Sequence, residues 1–266
     1  MSSTDTVMLI HGLWMTPRSW EHWVKFYEAR GCTVLMPAYP GLEVEVEKLN
    51  EDPSPIAALT VEAVVNHYAA IIEKLPVKPV LMGHSFGGAV VQMLLNRGLG
   101  SAGVAIDAAA VKGVLKVPLV QLRALWPVFK NPANKNRAVP LTPKQFNFAF
   151  TNTMSEADSL AVWERYVVPG PGRIVFDGAS QNFASNPPTK VDFAKADRAP
   201  LLLLAGELDH TVPASVNRSN FEKYKSGVVA FHEFKGRDHF TCGAPGWEEV
   251  ASFALEGARV PRAGEL

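Results

Sequence analysis

The stretch Gly83-His84-Ser85-Phe86-Gly87-Gly88 constrains the fold of this chain more than any other. Before it, Pro79-Val80-Leu81-Met82 is a short apolar run, as a buried strand would be. After it, residues 89–95 read as a helix with one apolar side, which Gly100 would help to stop. A serine set between two such elements in the pattern G-x-S-x-G has the form of a nucleophile elbow. So sharp a turn strains the serine backbone, and side chains at Gly83 or Gly87 would collide with the adjoining strand and helix. In return the hydroxyl stands at a helix N-terminus, where backbone N–H groups and the dipole favour developing negative charge.

The flanking sequence alternates in the same manner. Residues 6–10 form an apolar strand that ends at His11-Gly12-Leu13-Trp14. A helix is expected over 17–30, with Ser19 as N-cap, Gly31 as stop, and Trp20, Trp23, Phe26 and Tyr27 at core-forming spacing. A strand over 32–36, an acidic loop containing Pro53 and Pro55, and a helix over 60–75 lead to the elbow. Residues 103–106 give another strand, which ends at Asp107. From 108 to 190 the alternation gives way to short helical pieces between prolines, at 119–129, 142–150, 156–166 and 173–183. It resumes with strands at 201–205 and 228–234 and helices at 213–224 and 247–255. The pattern predicts an α/β fold, a mostly parallel doubly wound sheet of about six core strands with helices on both faces. Residues 1–107 and 191–266 would form that core, and 108–190 a helical cap inserted into it.

In such a sheet, functional groups gather beyond the carboxyl ends of the strands. His11-Gly12-Leu13, Ser85, Asp107, Gly206-Glu207-Leu208-Asp209 and Gly236-Arg237-Asp238-His239 all fall at such ends. With HGLW at 11–14, GHSFGG at 83–88, GELDHTVP at 206–213, GRDH at 236–239 and the insertion, the chain resembles the α/β-hydrolase superfamily, specifically its capped serine esterases and lipase-like members. It departs from that pattern in lacking two N-terminal antiparallel strands, which shortens one sheet edge and leaves the site untouched.

The resemblance implies a nucleophile at Ser85, an acid at Asp209 and a base at His239, in the chain order of this fold. A serine hydroxyl is a poor nucleophile until a histidine takes its proton, and the acid would hold the imidazole tautomer. Backbone N–H groups of Phe86 and Leu13 would form the oxyanion hole. Asp107 is the rival acid, since some relatives take theirs after the preceding strand, and Asp238 adjoins the base. The resemblance implies a packing role for His84 and a structural one for His11, and His210 adjoins the acid. Trp14, Trp126, Phe129, Phe146 and Phe150 are candidates for the substrate pocket, although such aromatics also serve as core.

The expected reaction is hydrolysis of small to medium apolar carboxylic esters through an acyl-enzyme, with no cofactor and no metal. The same triad also supports perhydrolase, lactonase, acyltransferase, C–C hydrolase or hydroxynitrile lyase chemistry, and a non-catalytic binding module is a further alternative. Lysine plus arginine equals aspartate plus glutamate at 26 each, no basic stripe stands out, and nucleic acid is not an expected partner. No run is long enough to span a bilayer, so no membrane partner is expected either. Two cysteines and no export-type leader suggest a reducing, cytoplasmic setting, with the chain a monomer or homodimer.

Overall fold

The computed structural model describes residues 5–266. Its central sheet is parallel throughout and has seven strands: β1 (Thr6–Ile10), β2 (Thr33–Leu35), β3 (Val80–His84), β4 (Ala102–Ile106), β7 (Leu201–Gly206), β8 (Val229–Phe234) and β9 (Gly264–Glu265). Their order across the sheet is β2-β1-β3-β4-β7-β8-β9. The expected six strands become seven through β9. Its two residues give no periodicity to read, and it is held by backbone pairing with Ala230 and Phe231.

Both faces of the sheet are buried, as a parallel sheet requires, and the pleat divides the side chains between them. Met8, Ile10, Leu81, Ala105 and Leu203 point into one apolar cluster, and Val7, Leu9, Met82, Val104 and Leu204 into the other. The first cluster is closed by α4 (Val61–Ile72), α5 (Phe86–Asn96) and α10 (Ala214–Phe221). The second is closed by α1 (Glu21–Glu28) and α11 (Trp247–Arg259), where the Trp23 indole N–H donates to the Cys242 carbonyl and the Tyr27 hydroxyl to that of Ala251.

Local differences from the sequence reading have plain causes. Thr16, not Ser19, caps the first helical segment, because Pro17 opens a 3₁₀ turn (Pro17–Trp20) and α1 begins only at Glu21. The acidic loop contains two short helices, α2 (Val46–Glu51) and α3 (Ser54–Ala57), which bury Val46, Leu49 and Ile56. Both are too brief to establish a helical period.

Between β4 and β7 lie α6 (Leu119–Phe129), α7 (Pro143–Ala149), α8 (Glu156–Tyr166) and α9 (Gly172–Ser180). A two-stranded antiparallel ribbon, β5 (Ala138–Val139) with β6 (Gly170–Pro171), ties the segment together and was not foreseen. The segment rests on loops at the carboxyl ends of the central strands. Trp14 donates its indole N–H to Val139 and accepts at its own carbonyl from the Val168 N–H. Thr211 donates to the Ala149 carbonyl, and the Phe240 N–H to that of Phe150. Its buried Val128, Phe146, Phe150 and Ile174 join the same apolar cluster as Leu13 and Trp14. No helix among the described residues is long and apolar enough to cross a membrane.

Candidate active site

Strand register places the candidate residues on one edge. Ile10 pairs with Gly83, His84 with Ile106, and Gly206 with Phe234, so the residues that follow each strand emerge side by side. Three of them depart from ordinary backbone geometry: Trp14 (φ 62°), Ser85 (φ 55°) and Asp107 (φ 47°) are the non-glycine residues with positive φ among those described. Strain confined to one rim of the sheet marks a site whose surroundings hold it in place.

Ser85 sits between β3 and α5, its N–H donating to Ile106 and its carbonyl accepting from Gly88 and Ala109. The elbow is possible because its neighbours lack side chains. A Cβ on Gly87 would lie 2.2 Å from the Ile10 carbonyl oxygen, and one on Gly83 would lie 2.2 Å from that of Gly87. Gly12 approaches just as closely from β1, where a Cβ would come within 2.9 Å of the Ser85 Cβ. This contact brings the Leu13 backbone beside the serine. Phe86 is the first residue of α5, so its N–H has no intrahelical carbonyl to reach, and the Leu13 N–H makes no backbone hydrogen bond among the described residues.

The Ser85 hydroxyl lies 3.0 Å from His239 Nε2, and His239 Nδ1 lies 2.6 Å from Asp209 Oδ2. All three side chains are buried. The other Asp209 oxygen accepts the N–H groups of Thr211 and Val212, each at 2.7 Å, which fixes the carboxylate plane. With Nδ1–H donating to the carboxylate, the lone pair of Nε2 is left facing the serine hydroxyl. Burial lowers the His239 imidazole from 6.5 to about 3, and the nearby Asp238 charge pulls the other way. His84 packs 4.7 Å from the His239 ring and donates Nε2–H to the His239 carbonyl, and burial with the adjacent His239 holds it well below its usual range.

Asp107 is as buried as Asp209 but differently engaged. One of its oxygens accepts the Gly206 N–H at 2.7 Å, and the other has no hydrogen-bond partner among the described residues. Burial first, and then the charge of Asp209, raise its carboxyl well above the usual range. Asp238 accepts from the backbone and hydroxyl of Thr153 and from the Phe240 N–H, and so ties the inserted segment to the loop that carries His239. Ligand-type atoms of His84, Asp107 and His239 lie within 4.8 Å of one another, with both His239 nitrogens engaged by Asp209 and Ser85.

A cavity of about 290 Å³ opens over Ser85. Leu13, Trp14 and Phe86 line its floor, Leu125 and Phe129 come from α6, and Ile174 and Val175 from α9. The apolar candidates therefore separate. Trp14 and Phe129 line the cavity. Phe146 and Phe150 do not; they stack on each other at 4.9 Å inside the core, and Phe150 meets the His239 ring edge-on at 4.8 Å, where it backs that ring rather than touching the cavity. Trp126 is 61% exposed and does not line the cavity. Ile174 and Val175 were missed because the sequence places α9 without indicating which of its sides faces the sheet.

Comparison with known proteins supports the same architecture. The model of the alpha/beta hydrolase family matches residues 7–253. No curated protein matches the chain in sequence. Among solved structures, the monoacylglycerol lipase of Paleococcus ferrophilus is 23% identical with a TM-score of 0.65, covering 97% of this chain and 96% of that one. An extracellular alpha/beta-hydrolase from a Paenibacillus species is 22% identical with a TM-score of 0.69 over 96% and 99% of the two chains. A pyrethroid hydrolase from Sphingobium faniae JZ-2 is 17% identical with a TM-score of 0.68 over 95% and 96%. At such identities the likeness is one of fold. The family match, which spans nearly the whole chain, goes further: this protein belongs to the α/β-hydrolase family.

Proposed function

We propose that the protein is a serine-dependent carboxylic ester hydrolase acting through an acyl-enzyme on small to medium apolar esters. The observation that carries this reading is the chain of hydrogen bonds from Asp209 through His239 to Ser85, opening into an apolar cavity. The structural neighbours described as a lipase and a pyrethroid hydrolase agree with it. His239 takes the Ser85 proton as Oγ attacks the ester carbonyl, and Asp209 stabilises the resulting imidazolium. The developing oxyanion is met by the N–H groups of Phe86 and Leu13. His239 then protonates the leaving alcohol as the ester bond breaks. In the second half, water gives its proton to His239, attacks the acyl-enzyme and releases the acid, and the proton returns to Ser85 Oγ.

The cavity, about 290 Å³, lies near the lower end of the range for small-molecule sites, roughly 300–1,000 Å³. Burial of one methylene contributes about 0.8 kcal/mol, so kcat/KM across linear acyl esters is expected to rise about fourfold per carbon until the cavity fills, and then to fall. A flat profile would remove the apolar-substrate part of the reading. Covalent labelling of Ser85 by a fluorophosphonate, located by peptide mass, tests the serine mechanism itself.

The pH profile has a definite sign. Only neutral imidazole can accept the serine proton, so kcat/KM rises as pH climbs through the His239 pKa. Because burial lowers that pKa beneath 6.5, the half-maximal point of the acid limb is expected below pH 6.5, with a plateau through neutrality. A midpoint above neutrality would mean that the Asp209 carboxylate outweighs burial.

A further inference from the structure

The whole-chain charge of zero conceals a strong segregation. Residues 108–155 hold seven lysines and arginines and not one aspartate or glutamate, which leaves the rest of the chain with a surplus of seven acids. The sequence reading saw no basic stripe because it weighed the chain as a whole. None of those seven cations forms an ion pair among the described residues, whereas Arg18, Arg165, Arg173 and Arg218 elsewhere all do. Asp177, the acid on the adjacent α9, is already paired with Arg173.

The stretch 115–130 combines this charge with exposed apolar surface. Leu115 is 70% exposed and Leu119 84%, and Val117, Leu122 and Trp126 also stand in solvent. On α6, Leu119, Leu122 and Trp126 recur at helical spacing and stand in solvent, with Arg123 and Lys130 between and beside them. Val117 and Leu122 also line the cavity over Ser85, so the basic and apolar strip borders the entrance to the site.

We propose that residues 115–130 are a docking surface for an anionic phospholipid bilayer, holding the cavity entrance against the lipid. Exposed leucine and tryptophan interleaved with cations that carry no ion pair among the described residues is the composition of a segment that lies in a headgroup layer, with apolar side chains below the phosphates and cations among them. Nucleic acid would use the cations but gives exposed leucines nothing to bury against. A symmetric contact with a second copy would set Arg123 and Lys130 against the same cations of the other chain. Nothing here spans the membrane; attachment is peripheral and reversible.

The test is sedimentation of the full chain with vesicles of phosphatidylserine and phosphatidylcholine, against phosphatidylcholine alone, at low and high salt. Binding to the anionic vesicles only, weakened by salt, is expected. Each cation at such a surface strengthens binding about fivefold, so Arg123→Gln with Lys130→Gln should weaken it about 25-fold. Leu115→Ser with Leu119→Ser should weaken it at least about tenfold. All four positions are exposed and away from the triad, so hydrolysis of a water-soluble ester should stay unchanged in both variants. Absence of binding to anionic vesicles at low salt, equal binding to neutral ones, or undiminished binding by the variants would overturn the proposal. So would a dimer in solution that the serine variant converts to monomer, since a second copy would then cover this face.

Discussion

Replacement of Ser85 by alanine is expected to lower kcat by roughly 10⁴–10⁶ with little change in KM, because the triad acts as a unit and the binding cavity is untouched. His239→Ala should fall in the same range, and the double variant should lose little more than either alone. The residual rate would come from the Phe86 and Leu13 N–H groups and from substrate positioning, neither of which needs the hydroxyl. Stability offers a control. Alanine at this position keeps the strained backbone of φ 55° and ψ −120°, so its melting temperature should stay near that of the parent. Glycine adopts such geometry without penalty and should lose the same activity while gaining stability. Near-full esterase activity in a correctly folded Ser85→Ala protein would dismiss the serine mechanism and, with it, the proposed function.

That the sequence placed Ser85, Asp209 and His239 on one rim follows from how a parallel sheet works. Each strand is a short apolar run with a sharp end, the run and its end are local features, and register then brings the ends together without further information. Ser85, Asp209 and His239, which lie far apart in the chain, meet within hydrogen-bonding distance for that reason. Features fixed by packing between elements were not legible in the same way. The sequence names Phe129, Phe146 and Phe150 as apolar residues of two helical segments, but not which of them face the core and which the cavity. In the folded chain Phe129 meets the cavity while Phe146 and Phe150 pack beneath it. The edge strand β9 and the helices α2 and α3 are too short for any period to register. Charge shows the same limit, since a balanced total hides how the cations and acids are distributed along the chain.

The choice between Asp209 and Asp107 is where geometry adds most to the sequence, and it yields the second large effect. Asp209→Asn is expected to reduce kcat by about 10⁴, with the fold intact. The local hydrogen bonds dictate why. Oδ1 of Asp209 accepts two backbone N–H groups at 2.7 Å, from Thr211 and Val212. An asparagine must therefore keep its oxygen at that position and present its NH₂ where Oδ2 now faces His239 Nδ1. An amide donor opposite Nδ1 forces the ring proton onto Nε2. That nitrogen then meets the Ser85 hydroxyl with a proton instead of a lone pair, and the base is lost while every atom stays nearly in place. Asp107→Asn meets no such conflict. Its oxygen can remain on the Gly206 N–H, and its amide nitrogen replaces an oxygen that has no hydrogen-bond partner among the described residues. The substitution also removes a buried carboxyl whose ionisation is opposed by burial and by Asp209. Its effect on kcat should stay within about tenfold, since no hydrogen bond to the His239 ring is altered. Comparison of the two variants on one ester substrate, with circular dichroism to verify folding, decides the matter. A large loss for Asp107→Asn beside a small one for Asp209→Asn would transfer the acid to the end of β4, and the hydrogen bond between Asp209 and His239 would then be structural.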